Sequence, residues 1–251
     1  MIQRLAQFVN RRFYAVKQSI HDFIALHRLS STQSALVKCV IARKLTYLTV
    51  QKAANLVHLC QKIEEDDIPG MFVEAGCALG GSSILIGSNK SLARKFNIYD
   101  VFDMIPAPGE KDPRDAHQRY DVIRTGGSEG IDGDLYYGYE TDVRKIVNRN
   151  LTEFGIDPDK ASISFVKGFV QDTLVVDEAV AFAHVDVDWY EPVKICIERI
   201  FPKLSIGGVI VFDDYHDWGG AKKAIDEYLQ KAPGQHTVND TYGHMVVQRV
   251  A

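Results

Sequence analysis

From Ile2 to Ile24, the apolar residues Ile2, Leu5, Phe8, Val9, Phe13, Val16, Ile20, Phe23 and Ile24 recur at three- and four-residue spacing. One helical face carries them all. Arg4, Arg11, Arg12 and Lys17 flank that stripe, which leaves two uses for it: docking on this chain or another subunit, or lying on a membrane surface. A second helical pattern, Val50, Ala53, Leu56, Val57, Cys60 and Ile63, runs into Glu64-Glu65-Asp66-Asp67 and is stopped by Pro69-Gly70. Beyond it come short apolar runs: Met71-Phe72-Val73, then residues 96–99, 163–166, 179–187 and 208–212. Runs of this kind form parallel strands buried on both faces.

Helices are predicted between the runs, over residues 82–92, 141–154 with Gly155 as C-cap, from near Val170, from near Pro192 to Pro202, and over 221–229. Thr237-Val238 and residues 245–250, joined through Asn239-Asp240 and Gly243, read as a closing hairpin. The alternation predicts an α/β fold: a mostly parallel, doubly wound sheet with a C-terminal antiparallel hairpin. An N-terminal helical extension (1–67) precedes that domain (68–251). Residues 106–138 carry three prolines and six glycines without clear periodicity, too long for an ordinary connection, and are expected to form a lid or substrate-binding segment. Tyr136, Tyr137 and Tyr139 near its end either stack on a ligand or anchor the loop.

The chain has 251 residues, 46% apolar and 25% charged, with a net charge of -4. These are ordinary globular values, and the negative balance makes nucleic acid an unexpected partner. Cys39, Cys60, Cys77 and Cys196 form no C-x-x-C pair. Neither a zinc knuckle nor a disulfide framework is indicated, and a cytoplasmic setting is expected. No apolar run approaches the roughly 20 residues of a membrane span, so no stable membrane insertion is expected.

Candidate chemistry starts at the first run, which ends in Glu74 and Gly76, where open α/β sheets bind ligands. A dinucleotide fingerprint needs a glycine two residues after the first, but Ala78 stands there and Gly80 and Gly81 follow. A cofactor without pyrophosphate fits better. Asp100, 24 residues after Gly76, closes another apolar run, where an acid holds ribose hydroxyls. Adenosine without pyrophosphate points to S-adenosylmethionine. The plain alternative is a tight strand-to-helix turn without a ligand.

The run 181–185 delivers Asp186 and Asp188, and the run 209–212 delivers Asp213 and Asp214. At neighbouring strand ends these acids would converge with Glu74 and Asp100, with Asp186 and Asp188 facing the same side of an ideal strand. Packed like charges need a cation or a shared proton. Oxygen donors, with only His184 and His216 nearby, suit a hard ion such as Mg²⁺; otherwise the acids cap the helices that follow. His184, between apolar residues, reads as a core or supporting histidine. Trp189 and Tyr190 either wall a ligand or pack under the next helix.

Five stretches resemble the macrocin O-methyltransferase family: FVEAGCALGGSS (72–83), IYDVFDMIP (98–106), KGFVQDTL (167–174), HVDVDWYEP (184–192) and GGVIVFDDYHDWGGAKKAIDEY (207–228). The resemblance implies a Rossmann-like class I methyltransferase fold that methylates a hydroxyl of a sugar or glycosylated natural product. It implies S-adenosylmethionine held by Glu74, Gly76 and Asp100; Ser82 and Asp186 are further candidates for binding the cofactor. It also implies Mg²⁺ held by Asp186, Asp213 and Asp214, and Asp188 as the general base. Cys77-Ala78, Val101, Val187 and Trp189 depart from the family pattern. A rival reading takes Asp186-x-Asp188 as the metal motif of a nucleotide-sugar glycosyltransferase, which leaves the Glu74 to Asp100 pattern unexplained. A non-catalytic scaffold would have lost acids that are all present here. Assembly as a homo-oligomer is expected, through the N-terminal helices or the 106–138 segment.

Overall fold

The computed structural model describes residues 19–251. Most of the amphipathic helix expected over residues 2–24 lies outside the described residues; residues 19–27 are helical, with Ala25 buried and Ile20, Phe23 and Ile24 exposed. Helix α1 (Ser31–Ala42) starts at a capping box between Ser30 and Gln33. Helix α2 (Val50–Glu65) starts where the Thr49 hydroxyl accepts the Lys52 N–H. Among the described residues no helix is long and apolar enough to cross a membrane.

Strands β1 (Met71–Ala75), β2 (Phe96–Asp100), β3 (Ile163–Lys167), β4 (Val180–Val185), β5 (Leu204–Phe212), β6 (His236–Asn239) and β7 (Met245–Arg249) form one sheet. Its order is β3-β2-β1-β4-β5-β7-β6. Pairing is parallel from β3 to β5, and β7 runs antiparallel to both β5 and β6. This is the doubly wound sheet with a closing hairpin that the sequence predicts. Helices α3 (Gly81–Gly87), α4 (Arg114–Arg124), α5 (Val143–Glu153), α6 (Val170–Thr173), α7 (Tyr190–Ile200) and α8 (Gly219–Leu229) fill the connections.

Strand β5 starts at Leu204 rather than residue 208, and two further differences bear on the connections. Helix α3 stops at Gly87 rather than residue 92, because the Asn89 side chain takes the Leu85 carbonyl and the Lys90 ammonium collects those of Ser91 and Arg94. The 106–138 segment contains a regular helix, α4, whose buried face needs only Ala116 and Ile123.

Alternation along the strands assigns two layers. Phe72, Ile98, Phe182, Val209, Val211 and Val246 pack with α1, α2, α3 and α5, while Val73, Tyr99, Val185, Ile210, Phe212 and Val247 pack with α7 and α8. Helices α1 and α2 therefore share one core with the sheet. A smaller cluster of Ile105, Ala116, Ile123, Tyr136 and Trp189 ties the 106–138 segment to the end of β4.

Candidate active site

The chain leaves β1 in one direction and returns to β4 on the other side, so the carboxyl ends of β1 and β4 flank the crevice where open α/β sheets bind ligands. The turn after β1 makes one wall. Gly76 has φ +84°, and its N–H donates to the Tyr99 carbonyl at 2.8 Å. A Cβ there would lie 1.8 Å from the Asp186 carbonyl oxygen. Glycine is required because the two ligand-bearing turns touch backbone to backbone.

Asp100, at the end of β2, faces this turn. Its Oδ2 accepts the Cys77 N–H at 2.7 Å and its Oδ1 the Phe102 N–H at 2.6 Å. Burial pushes its carboxyl up, against the pull of those N–H groups. Each oxygen keeps a lone pair for a ligand hydroxyl. Glu74 is placed differently. It is fully buried; one oxygen accepts the Ser83 hydroxyl and the other lies 3.1 Å from His184 Nδ1. Against the expectation that Glu74 and Ser82 meet the cofactor, neither lines the cavities at this mouth. Strand alternation turns residue 74 to the face of Phe72, where it braces β1, β4 and α3. His184 is the supporting histidine expected.

The acids gather by a different route from the one the sequence suggests. Strand β4 ends at Val185, so Asp186 and Asp188 follow it rather than continue it. Asp188 adopts φ +56°, with the Trp189 N–H closing on the Val187 carbonyl at 2.6 Å. This curl brings oxygens of Asp186, Asp188 and Asp214 within 4.8 Å of one another. Asp214 Oδ2 accepts the Asp188 N–H at 2.8 Å and holds the curl. Burial, then repulsion from neighbouring carboxylates, pushes Asp186 and Asp214 well above the usual range. Asp188 is pushed to about 8, by burial and then by Asp186. Such a trio takes up a proton or a cation, and its all-oxygen donor set fits a hard divalent ion.

Asp213 stands apart from that trio. Its Oδ2 lies 2.9 Å from the Lys52 ammonium, and its Oδ1 faces His244 Nδ1 at 3.8 Å. Burial works to raise its pKa, but His244 and Lys52 outweigh it and hold the carboxyl below the usual range. The compact trio thus contains Asp188 where the expected metal set has Asp213. His216 lies away from the trio, 3.8 Å from Asp240.

Two cavities meet at these acids. One, about 310 Å³, runs from Gly76 and Asp100 past Gly168, Phe169 and Gln171 to Pro192. The other, about 330 Å³, lies over Asp188, Asp213 and Asp214 and is walled by Tyr47, Arg119, Tyr136, Tyr137 and Trp218. Gly76, Asp100, Asp186, Asp188 and Trp189 belong to both. Trp189 is a wall, its Nε1 donating to the Pro106 carbonyl at 2.8 Å, whereas Tyr190 lines neither cavity. Tyr139 anchors the loop, its hydroxyl donating to the Ile123 carbonyl. Tyr47, Lys52, Arg119, Asp217 and Trp218 are lining residues that the sequence did not single out. Asp217, one helical turn after Asp213, carried a spacing signal; the others carried none.

A model of the macrocin-O-methyltransferase (TylF) family matches residues 42–244. The chain is 26% identical over 197 residues to the demethyldecarbamoylnovobiocin O-methyltransferase of Streptomyces niveus, covering 74% of this chain and 68% of that protein. It is 28% identical over 176 residues to an 8-demethyl-8-(2,3-dimethoxy-alpha-L-rhamnosyl)-tetracenomycin-C 4'-O-methyltransferase of Streptomyces olivaceus, covering 68% of this chain and 62% of that one. The chain therefore spans about two thirds of the length of these relatives. Among solved structures, the O-methyltransferase NovP superposes with a TM-score of 0.67 at 24% identity, over 82% of this chain and 83% of NovP. The sheet order is that of the class I methyltransferase fold, and the family carries methyl transfer rather than the glycosyl transfer of the rival reading. The chain belongs to the macrocin-O-methyltransferase family.

Proposed function

We propose that the chain transfers a methyl group from S-adenosylmethionine to a hydroxyl of a sugar-containing acceptor, with a divalent ion such as Mg²⁺ at the acidic mouth. The observation that carries this reading is the wall shared by the two cavities, with Asp188 at their junction. The cavity beside Gly76 and Asp100 is assigned to the cofactor, with Asp186 at its inner end. The cavity with the aromatic wall is assigned to the acceptor, whose ring faces suit stacking on Tyr and Trp. When bound, S-adenosylmethionine supplies a methyl group already activated on a sulfonium, and Mg²⁺ lowers the pKa of a hydroxyl. Asp186 and Asp214 would hold the ion, with Asp213 beside them. Asp188 takes the proton from the acceptor hydroxyl, and Trp189 with the aromatic wall orients the ring and excludes water.

Calorimetric titration with S-adenosylmethionine and, separately, with nucleotide sugars tests the cofactor. Binding of the first alone is expected; binding of nucleotide sugars without it overturns the reading. Methyl transfer to glycosylated natural products should stop in excess chelator and return with Mg²⁺, and full activity in chelator would remove the ion. Self-association belongs to the same reading, supported by the exposure of Ile20, Phe23 and Ile24 on the N-terminal helix. Light scattering on the full chain tests it, and a monomer at every concentration would count against it.

A further inference from the structure

The acceptor cavity is lined by six carboxylates, Asp100, Asp186, Asp188, Asp213, Asp214 and Asp217, against two basic side chains, Lys52 and Arg119. Five of the acids fall into two groups that share Asp214. Oxygens of Asp186, Asp188 and Asp214 lie within 4.8 Å of one another, and so do oxygens of Asp213, Asp214 and Asp217. Each group alone has the spacing of a divalent-cation site. The second already holds a cation. Lys52 Nζ lies 2.9 Å from Asp213 Oδ2, 3.1 Å from Asp217 Oδ2 and 3.1 Å from the Asp213 carbonyl oxygen. An ammonium has three donors, and all three are used. The Lys52 side chain is only 10% exposed and reaches this point from the first turn of α2. Asp213 Oδ1, also buried, has no partner within hydrogen-bond distance and only His244 Nδ1 facing it at 3.8 Å.

We propose that the Lys52 ammonium is the built-in cation of the Asp213–Asp214–Asp217 group, and that it limits the mouth to one divalent ion, held by Asp186 and Asp214. The inference rests on the metal reading above. The ammonium stands between two of the three carboxylates that a second ion would need, and its charge repels such an ion at contact distance. By gripping both the side chain and the carbonyl of Asp213, Lys52 also fixes the backbone that presents Asp214. Asp214 in turn holds the Asp188 N–H. Lys52 is thus a positioning residue, acting through Asp214 on the first group.

Counting Mn²⁺ bound by the full-length chain, by electron paramagnetic resonance of free ion and by calorimetry, tests this. The parent should bind one ion per chain and Lys52→Met two; Lys52→Arg, which restores the charge, should return the count to one. The double variant Lys52→Met/Asp217→Asn should also bind one. Because a methionine at this buried polar position can impair folding, Lys52→Gln is titrated beside it, with two ions again expected and native circular dichroism required. A parent that binds two ions, or a folded Lys52→Met or Lys52→Gln that still binds one, overturns the inference and leaves the metal reading intact. A parent that binds none removes both.

Discussion

Asp188 owes its place at the junction of the two cavities to its own backbone as much as to its neighbours. A non-glycine residue at φ +56° is uncommon, and it persists here because Asp214 accepts the Asp188 N–H. Replacing Asp188 with Asn keeps the size and removes the base, so turnover should fall about 10²-fold or more. S-adenosylmethionine affinity should stay near parental. Initial rates beside calorimetry check both, and parental turnover would eliminate Asp188 as the base. Asp100 and Glu74 separate in the same way. Asp100→Ala removes a carboxylate that lines the cavity proposed for the cofactor and should weaken S-adenosylmethionine binding by about 1–3 kcal/mol. Glu74→Gln touches a buried brace between Ser83 and His184, so it should lower the melting temperature while leaving cofactor affinity near parental. A large affinity loss in Glu74→Gln with unchanged melting would restore Glu74 to the cofactor site.

The segment from 106 to 138 shows no clear period because its helix is mostly polar. Helix α4 buries only Ala116 and Ile123 of its eleven residues, too few to show a period. Beside the small apolar cluster around Trp189, specific polar contacts hold the segment. Asp112 Oδ1 accepts the Tyr190 N–H in the first turn of α7, and its Oδ2 accepts the Gly109 N–H, at 2.8 and 2.9 Å. A Cβ on Gly220 would lie 2.0 Å from Asp112 Oδ1, so α8 leaves room for this carboxylate. With the Trp189 to Pro106 bond, these contacts strap residues 106–112 across the cavity beside Gly76 and Asp100. Asp112→Ala should cost about 1 kcal/mol, as the loss of a helix cap does, and should raise protease nicking between residues 106 and 113. In the parent, nicking there should fall when S-adenosylmethionine is added. Nicking that neither the mutation nor the cofactor changes would show that the strap does not gate the cavity.

At the scale of the molecule, the sheet was legible because strands buried on both faces must be apolar throughout, and because parallel order constrains where ligands bind. The site was legible as far as strand ends go: Gly76, Asp100, Asp186 and Asp214 are where a doubly wound sheet delivers them. The grouping of the acids was not. It depends on the left-handed curl at Asp188 and on Lys52, a lysine that follows Val50 on α2 and carries no local mark of its partners more than 160 residues away. The same packing of charge makes a prediction about the whole chain. Asp186, Asp188 and Asp214 all have folded pKa values raised above the unfolded value near 4, Asp188 to about 8. Between those limits the native state holds more protons than the unfolded chain, so the contribution of these groups to stability falls as pH rises. A divalent ion bound to the native carboxylates takes the place of the protons and removes that loss. Melting temperature measured in chelator should therefore drop from pH 5 toward pH 8, and Mg²⁺ should raise it more at pH 8 than at pH 5. Asp214→Asn, with one fewer charge to offset, should flatten the pH dependence in chelator and shrink the rise on adding Mg²⁺. An identical Mg²⁺ response at both pH values in the parent would show that Asp186 and Asp214 do not hold the ion.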